Sequence, residues 1–254
     1  MAKSTDAAKP SIKTILISQP KPDNDKNPYL QVAKKHKLTL EFRQFIQIEP
    51  ISAKDFRKSK IDVNAATAII FNSRNSIDHF FKIAEEIRYK PAAEMKYFCI
   101  SEAIALYLQK YIQYRKRKVF FGNGTDKSLH DLLNKHKANE NFLVACSNLS
   151  KDHEYLEKNK IKYQRAVVYK TVSANLKDIK ITGYDMLIFF TPAGIKSLFE
   201  NFPKFKQGKI KIGVFGEAAQ MAAEAAGLKI DFFAPTPEAT SMPKALELFL
   251  SQKK

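Results

Sequence analysis

Cysteine is scarce: Cys99 and Cys146 are the only two in 254 residues, and each sits inside an apolar, strand-like run. Two such thiols read as buried and reduced, which excludes a disulfide-stapled scaffold or a thiolate metal centre. Long hydrophobic runs are missing as well, so no membrane span is expected, and the Lys-, Ala- and Ser-rich stretch Met1–Lys13 has no apolar signal core. A cytoplasmic location is the expectation. The chain also lacks a phosphate loop ending in Gly-Lys-Ser/Thr, a G-x-G-x-x-G turn, a nucleophile elbow and any His/Cys metal spacing. His36, His79, His130, His136 and His153 fall in helical or loop segments and read as surface or satisfied helix residues. No metal or cofactor is implied.

Acidic residues are in short supply, 26 against 43 Lys and Arg, which leaves a formal charge of +17. Such a balance suits nucleic acid, acidic lipid or a polyanionic small molecule. The densest basic run, Arg115-Lys-Arg-Lys118, leads straight into Val119-Phe-Phe121 and reads as a solvated strand entrance. Without a recognition motif or clustered exposed aromatics, nucleic acid is not the expected partner.

What is present is repetition. Ala68-Ile-Ile-Phe-Asn-Ser-Arg-Asn-Ser-Ile77 and Met186-Leu-Ile-Phe-Phe-Thr-Pro-Ala-Gly-Ile195 each run from an apolar β-type segment, through a turn with a hydroxyl, into helical spacing. Lys96-Tyr-Phe-Cys-Ile-Ser-Glu-Ala103 likewise echoes Lys211-Ile-Gly-Val-Phe-Gly-Glu-Ala218. Strand-like and helical patterns alternate along the whole chain, which specifies an α/β fold with parallel sheets covered by helices. The order of the repeats is permuted, because one unit stands alone at the start. That order predicts two similar lobes: a discontinuous first lobe of residues 12–44 plus 172–254, and an inserted second lobe of residues 45–171. Leu40–Pro50 and Tyr163–Val172 are expected to be long strands that pair as the linker ladder.

Ligands of open parallel sheets bind beyond the carboxyl ends of the strands. That rule selects the turns Ser18–Gln19, Asn72–Asn75, Ser101–Glu102, Gly122–Thr125, Ser147–Leu149, Thr191–Gly194 and Gly216–Ala219, and within them Gln19, Ser73, Asn75, Ser101, Ser147, Thr191, Gly194, Gly216, Glu217 and Ala218 as binding candidates. Mostly small and neutral, they supply hydroxyl and backbone N–H donors suited to carboxylate or phosphate. Helix capping alone also explains any one of the hydroxyls. Gly122-Asn-Gly-Thr125 reads as a capped turn and not as a phosphate loop.

These segments resemble the uroporphyrinogen-III synthase family. Phe71-Asn-Ser-Arg-Asn-Ser-Ile77 is similar to the family's F-T-S-x-N-A-V, Gln47-Ile-Glu-Pro50 to its I-E-P linker, and Val168-Tyr-Lys-Thr171 to its V-Y-x-T linker. Phe190-Thr-Pro-Ala-Gly-Ile195 resembles T-S-P-S-G-V, and Ile212–Gly216 with Ala226–Lys229 resembles I-G-x-x-T-A…G-L/V. The resemblance implies two α/β lobes joined by a two-stranded ladder, a monomer without cofactor, and a linear tetrapyrrole substrate held in the cleft. It implies cyclisation of hydroxymethylbilane with inversion of ring D and loss of water, in porphyrin and heme biosynthesis. Tyr169, matching the linker tyrosine, becomes the candidate for assisting departure of the hydroxyl; its alternative role is cross-strand packing. Gln19 stands where the family has an arginine, Asn72 replaces a threonine, and Glu217-Ala-Ala219 replaces the threonine of the G-x-x-T turn. A non-catalytic homologue that binds another polyanion is the alternative reading.

Overall fold

The computed structural model describes residues 12–22 and 27–252. The N-terminal stretch read above for targeting lies almost wholly outside the described residues. The strands are β1 (Thr14–Ile17), β2 (Thr39–Phe42), β3 (Ile46–Pro50), β4 (Ala68–Phe71), β5 (Lys96–Cys99), β6 (Val119–Phe121), β7 (Phe142–Ser147), β8 (Tyr163–Ser173), β9 (Met186–Phe189), β10 (Lys211–Phe215) and β11 (Phe232–Ala234). The helices are α1 (Pro28–His36), α2 (Ala53–Lys58), α3 (Arg74–Glu86), α4 (Glu102–Tyr107), α5 (Asp126–His136), α6 (Asp152–Lys158), α7 (Pro192–Asn201), α8 (Glu217–Ala225) and α9 (Met242–Ser251).

Two units share the chain: one runs up to Gln47 and resumes at Val172, and the other is Ile48–Thr171. The first holds a five-stranded sheet in the order β11-β10-β9-β1-β2, parallel throughout. Chain order runs β1 to β2, then turns back to β9, so the winding reverses between β1 and β9. The second unit's sheet is ordered β3-β8-β7-β4-β5-β6, with β8 through β6 parallel. Its winding reverses between β4 and β7. Both passages between units run through the neighbouring strands β3 and β8, bracketed by Ala174 N–H to Phe45 C=O at 2.9 Å and Ile51 N–H to Val168 C=O at 3.3 Å. One index falls as the other rises, so this ladder is antiparallel.

Each sheet is buried on both faces, as parallel strands require. Leu16, Leu187 and Ile212 face one cluster in the first unit, while Ile15, Met186 and Ile188 face another. In the second unit Ile69, Phe71 and Leu143 pack beneath α3, and Ile70, Phe98 and Val144 pack beneath α5.

The expected single strand Leu40–Pro50 is two strands in different sheets. Its apolar phase breaks: Leu40 and Phe42 serve one face of the first sheet, but Phe45 is 1 % exposed on the other, edge-on to Phe189 at 5.6 Å. Arg43 leaves the strand to grip Asp178 through two 2.8 Å bonds. The basic run also needs correction. Arg115, Lys116 and Arg117 are exposed, but Lys118 is buried, its ammonium on the Ala93 carbonyl and 3.0 Å from Glu94. Both cysteines are buried and free. Desolvation pushes the Cys99 thiol up to about 12, so it is inert as a nucleophile.

The amino ends of the strands are closed by charge pairs. Asp185 accepts from the Lys13 and Thr14 N–H groups at 2.8 and 2.9 Å, buried Glu140 holds Lys96 and Thr67 at 2.5 and 2.7 Å, and Asp231 holds Lys211 at 2.8 Å. Gly213 has a packing role in β10, because a Cβ there would lie 2.2 Å from the Phe232 ring, itself stacked on Phe249 at 4.8 Å. Gly213→Ala is therefore expected to lower unfolding free energy by about 1–3 kcal/mol in urea titrations. The same substitution should cost less in a Phe232→Leu background.

Candidate functional site

At the carboxyl ends of both sheets the chain must turn from strand to helix, and the first N–H groups of each helix have no partner within it. After β4, Ser73 is extended and caps α3: its Oγ accepts from Ser76 N–H at 3.1 Å, while Ser76 Oγ accepts from Ser73 N–H at 3.2 Å. This capping box leaves the N–H groups of Arg74 and Asn75 outside the helical ladder, and Asn75 is exposed there. After β9, Thr191 does the same for α7, its Oγ1 accepting from Gly194 N–H at 3.0 Å, with Pro192 at the first helical position. Gly194 is buried, and a Cβ there would sit 3.4 Å from Thr191 Oγ1 and 3.7 Å from Ser18 Oγ. Ser18 and Gln19 follow β1, so the ends of β1 and β9 meet where the first sheet reverses. Ligands of doubly wound sheets collect at such reversals.

The turn after β10 is built differently. Gly216 caps α8 with φ of +85°, a region that favours glycine, and no side chain caps the helix. Glu217 and Ala218 are exposed on its first turn. Ser101 is extended before α4 without a side-chain cap and bridges to Asn123. The Gly122–Thr125 loop satisfies itself, Asn123 Oδ1 accepting from Thr125 N–H and Oγ1 at 3.2 and 2.7 Å. It is a capped turn, as its sequence suggests.

In the second unit, β7 and β8 bring further groups to the reversal. Ser147 Oγ accepts from Leu149 N–H at 3.2 Å, and Asn148 Oδ1 accepts from Thr171 N–H at 2.8 Å. Arg165 donates through Nη2 to the carbonyls of Ser147, Asn148 and Ser150 at 3.0, 3.2 and 3.3 Å. Between Cys146 and Ser147 the register slips, so Ser147 faces Tyr169 and Val168 is the extra residue. A bulge re-aims the side chains beyond it. Val168 and Tyr169 consequently pack on the same cluster, where strict alternation would have put them on opposite faces. Tyr169 Oη comes within 3.5 Å of Ser73 Oγ, and its ring stacks on His79 with centroids 5.3 Å apart. Burial holds the His79 imidazole below its usual value; Asp78 opposes that shift and Lys82 adds to it.

Thus Ser73, Asn75, Ser147 and Tyr169 share the carboxyl edge of one sheet with Ser101 on the adjoining strand, and Gln19, Thr191, Gly194, Gly216, Glu217 and Ala218 share that of the other. Sequence reasoning missed Arg165 and His79, while Asn148 and Arg74 lie in the selected turns without having been singled out. For Arg74 a signal existed: a cation at the first position of a helix opposes its dipole and calls for an anion. Its guanidinium lies 5.2 Å over the Tyr107 ring. Among the described residues no His, Cys, Asp or Glu group could hold a metal ion, and no helix is long and apolar enough to cross a membrane.

Comparison with known proteins adds a family. The family model described as uroporphyrinogen-III synthase HemD matches residues 31–244. Among solved structures, a uroporphyrinogen-III synthetase from Helicobacter pylori superimposes with TM-score 0.61 at 17% identity, over 95% of this chain and 100% of that one. A mutant uroporphyrinogen III synthase from the extremely thermophilic bacterium Thermus thermophilus gives 0.60 at 15% identity, over 94% and 99%. At those identities the likeness speaks for the α/β fold. No curated protein sequence matches significantly.

Next to Arg74, Asp78 accepts from Tyr107 at 2.8 Å, Tyr111 at 2.5 Å and Lys110 at 3.4 Å. Partial burial pulls its carboxyl up, but the bonds from Tyr111, Tyr107 and Lys110 outweigh that and hold it below its ordinary value. A depressed folded value means the stabilisation is complete above the unfolded pKa, about 3.9, and is lost as pH falls through the folded one. Carboxyl NMR titration should place Asp78 below about 3.9 in the wild type and higher in Tyr111→Phe.

Proposed function

The chain belongs to the uroporphyrinogen-III synthase family, and from that premise we propose which of its residues hold the substrate and assist the reaction. It cyclises hydroxymethylbilane to uroporphyrinogen III with inversion of ring D and loss of water, in heme biosynthesis. The family match across residues 31–244 carries this reading. A monomer in the cytoplasm is its working form.

The substrate brings its own electrons. Pyrrole carbons make and break the C–C bonds, so the protein must hold one conformer and ease departure of hydroxide. For holding, the open N–H groups at the starts of α3, α7 and α8 meet carboxylates, assisted by the helix dipoles. The hydroxyls of Ser73 and Thr191 contribute twice: each oxygen accepts from its own helix, which leaves the proton to donate outward, that of Thr191 to a carboxylate and that of Ser73 to Tyr169. Gly216 lets a carboxylate approach the backbone closely, Gly194 makes room for the Thr191 and Ser18 hydroxyls at the binding turn, and Gln19, Asn75, Ser101 and Ser147 add neutral donors. The carboxylate of Glu217 sits in the first turn of α8, where the dipole stabilises it without any role in binding anions. The family threonine's contribution is supplied at this turn by the N–H groups of Glu217 and Ala218.

For departure, Tyr169 is the proton donor. Ser73 Oγ already accepts from Ser76 N–H, so its proton is available to Tyr169 Oη 3.5 Å away. With that bond made, the phenol proton points to the leaving hydroxyl. The 3.5 Å separation is loose, as hydrogen bonds in unliganded sites commonly are.

Freshly made hydroxymethylbilane in a single-turnover assay should give uroporphyrinogen III as the main product; only the isomer with ring D uninverted would overturn the reading. Tyr169→Phe should lower turnover by about 10²-fold or more with product affinity little changed, and unchanged turnover would assign the tyrosine to packing. Thr191→Ala should weaken binding by about 1 kcal/mol, one donor among many, whereas Ser73→Ala, which removes the donor to Tyr169 Oη, should lower turnover in the same direction as Tyr169→Phe.

A further inference from the structure

At the amino ends of β5 and β6, on the sheet edge opposite the turns described above, the second unit contains a cavity of about 380 Å³. Its apolar wall includes Phe81, Met95, Ile112 and Val119, and the Phe81 and Tyr111 rings stack there with centroids 4.6 Å apart and their planes almost parallel. The size is in the range of small-molecule sites. Nothing in the cyclisation uses it.

Its polar groups share one property: the charged ones are all cations and the phenols donate. Lys118 is buried in the wall, and Lys90 and Arg115 stand exposed at the rim. No carboxylate lines the cavity. Glu94, the partner of Lys118, has a side chain 83% exposed to solvent. Most telling is Tyr97. It is only 6 % exposed, its ring is held by Phe71 at 6.4 Å, and its hydroxyl finds no hydrogen-bond partner among the described residues. Tyr97 lines the cavity, and burial raises its phenol to about 12, so the group remains protonated. The hydroxyl opens onto the cavity and is not sealed from solvent, so its proton is free to donate there. An acceptor supplied from the cavity would satisfy it.

We propose that this cavity is a second ligand site, one that takes a small apolar molecule bearing a carboxylate, with the apolar body against Met95, Ile112 and the Phe81–Tyr111 stack. The carboxylate accepts from the Tyr97 hydroxyl and faces the Arg115 and Lys90 cations. A neutral molecule of the same shape keeps the wall contacts but loses the charge-assisted bonds, which are the stronger share.

Benzoate is a suitable probe, with benzyl alcohol as its neutral counterpart, and binding to the full chain is read from the Met95 methyl and Tyr97 ring resonances. Single-site saturation by benzoate is expected, with benzyl alcohol at least about 10-fold weaker. Tyr97→Phe removes the hydroxyl while keeping the ring and should weaken benzoate about 10-fold; Arg115→Gln, at an exposed position where folding is not at risk, should weaken it several-fold. Absence of saturation, equal binding of the neutral probe, or undiminished affinity in both variants would overturn the proposal. Because the readout is binding and not turnover, its failure leaves the cyclase reading untouched.

Discussion

Everything at the carboxyl edges of these sheets depends on one requirement: a strand that feeds directly into a helix delivers backbone N–H groups that the helix cannot satisfy. Ser73 and Thr191 answer it with side-chain caps, and Gly216 answers it with a left-handed backbone that brings the turn close to whatever binds. The same requirement that fixes the folding of these turns makes them donor-rich. In the binding mode proposed above, a polycarboxylate meets groups that the fold had to place there in any case. This explains how a site can be built from Ser, Thr, Gly and Ala with so few charged residues.

The opposite edges are treated in the reverse way. Asp185, Glu140 and Asp231 spend their charge on the starts of strands, against backbone N–H groups and lysines. Acids are thereby kept largely at the amino ends. Glu102, Asp126 and Glu217 are among the exceptions, and each stands in the first turn of a helix, where a carboxylate complements the dipole. The excess of basic residues then acts as a general attraction for anions, with local donors selecting where they stay.

Much of the fold is legible in the sequence because hydrophobic period and turn chemistry agree. The runs at Ala68–Phe71 and Val119–Phe121 coincide with strands residue for residue. The short helix Ala53–Lys58 is not legible, since Phe56 is its single buried residue and six residues carry too little periodicity. Leu40–Pro50 reads as one strand because its composition is β-like throughout; only the phase shift from Phe42 to Phe45 betrays the break. Lys118 misleads for a related reason: a charge run looks solvated until a carbonyl and a carboxylate from a distant loop come to meet one of its members.

By itself the sequence determined the alternation of strand and helix, the duplicated units and the hydroxyls that cap them, because these are local properties of period and turn. It could not determine which way Tyr169 faces. Alternation along β8 places Tyr169 with Val167, away from α3. The slipped register against β7 inserts Val168 and turns Tyr169 back onto the cluster beneath α3, beside Ser73 and His79. Register is set by the partner strand and by the packing on both faces, so a candidate proton donor met its neighbours only when the sheet was assembled.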